Sequence, residues 1–153
     1  MIFNRTQNDV DTAISLRAEK VQKFQELTSD EVETLERGTL TINTLNRIES
    51  KQEELKNLFN SMGYWNSPII IKTWNSSQIF KGEEFDRILN NLEMLKEAFF
   101  VYKDTPNTPL PVYHYTNIND IEKILYDLDM MIDDIKVRYR QCGTFQCGEV
   151  NNQ

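Results

Sequence analysis

Two cysteines, one histidine, five glycines and four prolines are all this 153-residue chain holds of the residues that most often build metal sites, phosphate loops and tight turns. Each shortage excludes something. A structural zinc ion takes four ligands in a tetrahedron. Cys142, Cys147 and His114 make three, and four residues separate the cysteines where two are usual. A redox pair needs Cys-x-x-Cys at a helix start, where the helix dipole lowers a thiol pKa; no such start is visible. There is no glycine-rich phosphate loop, no nucleophile elbow and no His-Glu metal helix. Lys and Arg number 17 against 24 Asp and Glu, and the basic residues are scattered. That argues against nucleic acid, whose binding needs clustered cations to displace counterions. Apolar runs long enough to span a bilayer are absent, so membrane insertion is not expected. The opening "MIFNRTQNDVD" lacks the charged end and apolar stretch of a signal peptide, which points to synthesis in a cytoplasm with both thiols reduced.

What is present is ordinary globular material: 39% hydrophobic and 27% charged residues, in a length that suits one domain over 1–153. Apolar spacing predicts a first helix over 8–27, with Val10, Ala13, Ile14, Ala18, Val21 and Phe24 on one stripe and Asp9 as its cap. Thr28 and Glu31 have capping-box spacing for a short second helix, and Gly38 suits the left-handed residue after it. A third helix runs from a cap at Asn43 to a stop at Gly63, its stripe interrupted by Gln52.

"YWNSPIIIKTW" then breaks the helical period and reads as a short strand. A fourth helix over 83–100 buries Phe85, Ile88, Leu89, Leu92, Leu95 and Phe99. The proline-bearing 103–117 is an extended connection pinned by Val112, Tyr113 and Tyr115. A fifth helix over 118–136 points Ile121, Ile124, Leu125, Leu128, Ile132 and Ile135 inward, and the chain turns β-like from about 137. The expected fold class is mainly α: about five helices in a small bundle, with minor β segments near 68–74 and 137–150.

Four features invite a chemical reading. His114 lies between two tyrosines, but a general base needs a nucleophile and an orienting partner; a packed or hydrogen-bonded surface position suits it better. Asp127, Asp129, Asp133 and Asp134 sit on a helix without the loop and glycine of a calcium site, so they read as its solvated face. Trp65 and Trp74 bracket "PIII" and read as core or interface anchors. "CGTF-Q-CGEV" is a short imperfect repeat fitting a kinked strand or hairpin that packs two small thiols.

"NRTQNDVDTA", "LNRIE" at 45–49 with Gly63–Tyr64 and Trp74 beyond it, "ILNNLEMLK" at 88–96, and "NDIEKILYDLDMMI" followed by "YRQCGTFQCGE" occur in this order. Together they resemble a family of small tail-associated proteins of phages and prophages of Gram-positive bacteria, whose end carries a C/S-G-x-x-x-C/S-G-E signature. The resemblance runs from about residue 4 to 149; the second helix departs from it, being shorter and poorer in tryptophan. It implies a distal tail component near baseplate or fibre. Such a protein is synthesised in the bacterial cytoplasm, has other tail proteins as partners, and forms homo-oligomers in a symmetric assembly.

The family brings no catalytic residue, cofactor or metal, and none is expected here. The interface candidates are Trp65, Ile69, Ile71 and Trp74 in the strand-like segment, and Tyr139, Cys142, Phe145, Cys147 and Val150 near the end. Two other readings stay open: a receptor- or glycan-binding module using Trp65, Trp74 and the tyrosines near His114, and a small cell-wall-directed enzyme around His114.

Overall fold

Thr6 opens the first helix by capping it. Its hydroxyl accepts from the Asp9 amide while the Asp9 carboxylate accepts from the Thr6 amide, so two otherwise unpaired donors are satisfied reciprocally. Helix α1 therefore spans Gln7–Glu19, and Asp9 is the third residue of its capping box rather than the cap itself. The computed structural model describes residues 1–63, 68–98 and 100–141, without the side chains of 139–141. A 3₁₀ turn, Val21–Lys23, leads to α2 (Ser29–Gly38), where Thr28 and Glu31 form the capping box their spacing predicts. Helix α3 covers Ile42–Ser61, capped by Thr41 instead of Asn43; Gly63 follows it at φ 75°, a left-handed stop. Helix α4 covers Gly82–Glu97 and α5 covers Tyr115–Gln141.

Helices α3, α4 and α5 pack on one another around the main core. Leu45, Ile48, Leu55 and Phe59 meet Phe85, Ile88, Leu92 and Leu95, and Ile121, Ile124, Leu125, Leu128 and Ile132 close the third side. The inward faces predicted for the last two helices are those observed, save that Phe99 lies outside the described residues and Ile135 is half-buried. Gln52 does not interrupt its stripe. It is fully buried, donating from Nε2 to the Ile88 carbonyl at 2.9 Å and accepting from Asn91 at 3.2 Å.

Helices α1 and α2 form a separate hairpin at the edge of this bundle. Of the predicted α1 stripe only Ala13 is buried; Ile14 is 58% exposed and Phe24 98% exposed, so the stripe faces solvent instead of the core. Gly38 is not left-handed. It is the last residue of α2, at the crossing with α1, where a Cβ would fall 2.2 Å from the Asp9 carbonyl oxygen and 2.3 Å from the Ala13 Cβ. Alanine in place of glycine within a helix usually gains about 1 kcal/mol. Here it meets backbone that cannot swing aside, and Gly38→Ala is expected to destabilise by about 1–3 kcal/mol. A lowered urea midpoint checks this; an unchanged or raised one means the hairpin opens without cost.

The predicted β segments are corrected. Among the described residues there is no strand, and α5 continues as helix through 137–141. Residues 142–150 lie outside the described residues. Segment 68–74 is irregular, without a ladder, because the described chain offers it no second strand. Asp127 is also corrected: it is buried, its carboxylate accepting from Lys123 and from the Thr105 hydroxyl at 2.9 Å.

Candidate contact surfaces and buried polar centres

A β-branched run without a partner strand must still satisfy its amides and carbonyls. Helices α3 and α4 do this with side chains. Asn91 accepts from the Ile70 amide at 3.4 Å and donates to the Ile70 carbonyl at 2.8 Å. Glu49 accepts from the Lys72 amide at 3.1 Å. Asn46 accepts from the Trp74 amide at 2.6 Å and returns a bond to the Trp74 carbonyl at 3.0 Å. The residues held are 70, 72 and 74, every second one, which in extended backbone share one edge. Three helix side chains thus replace a neighbouring strand. The opposite edge belongs to Ile71 and Thr73; no backbone bond of theirs is made among the described residues, and Thr73 is exposed.

This placement sorts the first group of interface candidates. Ile69 and Trp74, both 6% exposed, lie in the core; Ile71 is half-buried, and Ile70 is the apolar side chain turned outward. The Trp74 indole donates from Nε1 to Glu49 at 3.1 Å and stacks edge-on with Phe80, which removes it from any surface shelf of aromatic rings. Trp65, Cys142, Phe145, Cys147 and Val150 lie outside the described residues, as does the side chain of Tyr139.

Glu49 is also the hub of a buried ion pair. Arg87 reaches it through both terminal nitrogens and reaches Glu84 at 3.0 Å through Nε. Hydrogen bonds from Lys72 and Arg87 hold the Glu84 carboxyl below its usual range. A second hub is Glu122 on α5, fully buried. It accepts from Arg5 at 2.9 Å, from Arg47 at 2.7 and 2.9 Å, and from the Ile2 amide at 2.7 Å. Asn119 binds the Arg5 amide and carbonyl, tying the N-terminal segment to α5. Neither glutamate is legible as a buried hub from the sequence, because nothing in its spacing separates it from a solvated charge. The one available signal was an acid inside an apolar stripe: Glu49 follows Ile48, and Glu122 follows Ile121.

A cavity of about 350 Å³ opens where the α1–α2 hairpin meets the start of α5. Its walls carry Arg5, Arg37, Tyr113, His114 and Tyr115, with Val10, Leu40 and Ile118 as the apolar part; no carboxylate is among the described residues lining it. His114 is an exposed, hydrogen-bonded residue: Nδ1 and the Thr116 hydroxyl lie 2.7 Å apart, and its ring rests on Tyr115. Tyr113 is half exposed, with its ring against Phe85 and Phe80, and partial burial followed by the Asp86 charge pushes its phenol pKa up. Of the residues expected to pin the connection, Val112 is exposed while the Tyr113 ring packs on Phe80 and Phe85; Asn117 adds bonds to the Leu110 and Val112 carbonyls.

Among the described residues no three His, Cys, Asp or Glu side chains are placed to hold a metal, and no helix is long and apolar enough to cross a membrane. Comparison with known families, curated proteins and solved structures finds no match to this chain.

Proposed function

We propose that this protein is a structural component that works through contacts with other polypeptides, and that its setting is the distal tail of a phage or prophage of a Gram-positive bacterium. The observation that carries the contact reading is the open edge of residues 70–74. One edge is fastened to α3 and α4 through the main chain of residues 70, 72 and 74; on the other, the amides and carbonyls of Ile71 and Thr73 make no hydrogen bond among the described residues. A fixed edge of this kind accepts an extended partner segment by main-chain hydrogen bonding. The outward Ile70 and Ile79 add apolar area beside it. The tail setting is supported by the ordered sequence resemblance over residues 4–149.

Thr73→Pro tests both parts. It deletes one edge amide without touching the fastened side. In tails purified from the producing host, an antibody against this chain is expected to label the end away from the head, and the variant is expected to fold but to be missing from the particles. Normal incorporation of the variant overturns the edge contact. Absence of the unaltered chain from purified tails overturns the setting.

A further inference from the structure

Arg5 is a buried guanidinium with half of its fork unused. The residue is 5% exposed. Its Nη1 serves the Glu122 carboxylate at 2.9 Å, Asn119 at 3.3 Å and the Ile2 carbonyl. Its Nη2 is buried too and has no partner among the described residues. Buried donors are nearly always paired, and one that is not points to an acceptor from outside the chain. Arg5 is also part of the wall of the cavity between the α1–α2 hairpin and the start of α5.

The rest of that wall offers further unbonded donors, and no carboxylate is among the described residues lining it. Arg37 meets Asp9 through Nε alone, at 3.2 Å. The hydroxyls of Tyr113 and Tyr115 make no hydrogen bond among the described residues. Tyr115 opens α5, and its amide is likewise without a partner there. The first turn of this 27-residue helix carries no acidic side chain, so its positive end lies at the cavity without a charge of its own to offset it.

Net charge does not choose a ligand here, because Glu122 balances Arg5 and Asp9 balances Arg37. The unbonded donors choose it. They suit a group that accepts several hydrogen bonds and offers none, as a carboxylate does and an amide or alcohol does not. Val10, Leu40 and Ile118 give the same cavity an apolar side, which an inorganic anion would leave uncovered.

We infer that this cavity binds a small free carboxylic acid with an aromatic or aliphatic stem. Its carboxylate takes the Arg5 Nη2 donor and the start of α5, and its stem lies on Val10 and Leu40. The inference goes beyond the proposed function and rests on neither its contact part nor its setting.

Titration of the full chain, followed by amide-proton NMR, tests it. The probe is 3-phenylpropanoate. Its counterparts are 3-phenylpropan-1-ol, which keeps the stem and loses the charge, and inorganic phosphate, which is an anion without a stem. The acid is expected to shift the Tyr115 and Ile118 amides saturably, with Kd about 1 mM or tighter. The alcohol and phosphate are expected to bind about tenfold more weakly or worse. Arg5→Lys keeps a cation for Glu122 and removes Nη2. Gln7→Trp, at an exposed position on the rim, obstructs the cavity without touching the buried ion pair. Each variant is expected to weaken binding of the acid about tenfold or more, with helices intact by circular dichroism. Should Arg5→Lys fail to fold, Gln7→Trp and the two counterparts decide.

No saturable shift at about ten times the expected Kd overturns the proposal and leaves Nη2 to a water molecule. Equal binding of the alcohol shows an apolar hollow with no call for a carboxylate, and equal binding of phosphate shows an adventitious anion only; either overturns it. So does undiminished binding in Gln7→Trp or in a folded Arg5→Lys.

Discussion

Glu122→Ala is expected to destabilise the protein by about 3–5 kcal/mol, the range for removing one member of a buried ion pair. For a chain of this size that is a fall in Tm of about 6–20 °C. Two guanidinium groups and the Ile2 amide converge on this one carboxylate. Arg5 is itself 5% exposed, and its Nη2 has no partner among the described residues. Without Glu122 the Arg5 charge is buried uncompensated, whereas Arg47 can turn toward Glu36, 3.7 Å away, and toward water. The damage therefore centres on Arg5 and the N-terminal segment it anchors. Replacing both partners with apolar residues, Arg5→Met with Glu122→Leu, is expected to recover most of the loss, because no unpaired charge remains buried. Thermal unfolding of the two single variants and the double variant measures the coupling. Additive losses in the double variant would show that the pair does not act as a unit.

The parts of this fold legible in the sequence were those governed by local chemistry. Thr28 and Glu31 cap α2 as their spacing implies, and Gly63 ends the α3 region in the left-handed conformation glycine favours. The apolar faces of α4 and α5 follow from their periodicity. What local pattern could not disclose was which periodic face finds a partner. The α1 stripe is as regular as the others, yet α1 packs on α2 through small residues, Ala13 beneath Gly38, and leaves Ile14 and Phe24 in solvent.

The β-branched run at 69–71 is non-helical, as its composition implies, but it belongs to no sheet among the described residues. Extended backbone is a local property, but a ladder needs a second strand, and here Asn46, Glu49 and Asn91 take its place. Polar residues among apolar ones looked like interruptions in the sequence. In the structure Gln52, Asn91, Glu49 and Glu122 are the fasteners between elements. The cavity was illegible for the same reason: Arg37, Tyr113 and Val10 meet only after three elements have packed.

Glu49→Ala is expected to be as costly as the loss of Glu122, about 3–5 kcal/mol, but with a different signature. Glu49 is 1% exposed and ties α3 to two other elements: Arg87 of α4, and the Lys72 amide and Trp74 indole of segment 70–74. Its removal strips Arg87 of its buried partner and leaves an indole N–H and a main-chain N–H unsatisfied. Segment 70–74 would retain the Asn46 and Asn91 bonds, the Arg87 contact to the Ile70 carbonyl and the Lys72–Glu84 ion pair. The expected result is a lower Tm together with red-shifted, more readily quenched tryptophan emission at temperatures where the helices remain intact by circular dichroism.

Glu49→Gln separates charge from shape. The amide can still accept one bond, from Trp74 or from Lys72, but its own NH₂ faces a guanidinium donor. It should therefore fall between wild type and alanine. Unchanged emission in Glu49→Ala would mean that Asn46 and Asn91 suffice to hold the extended segment. Release of the segment would blur the free edge of Ile71 and Thr73, so Glu49→Ala should also weaken uptake into tails in proportion to the loss of order around Trp74, without any change on the outward surface.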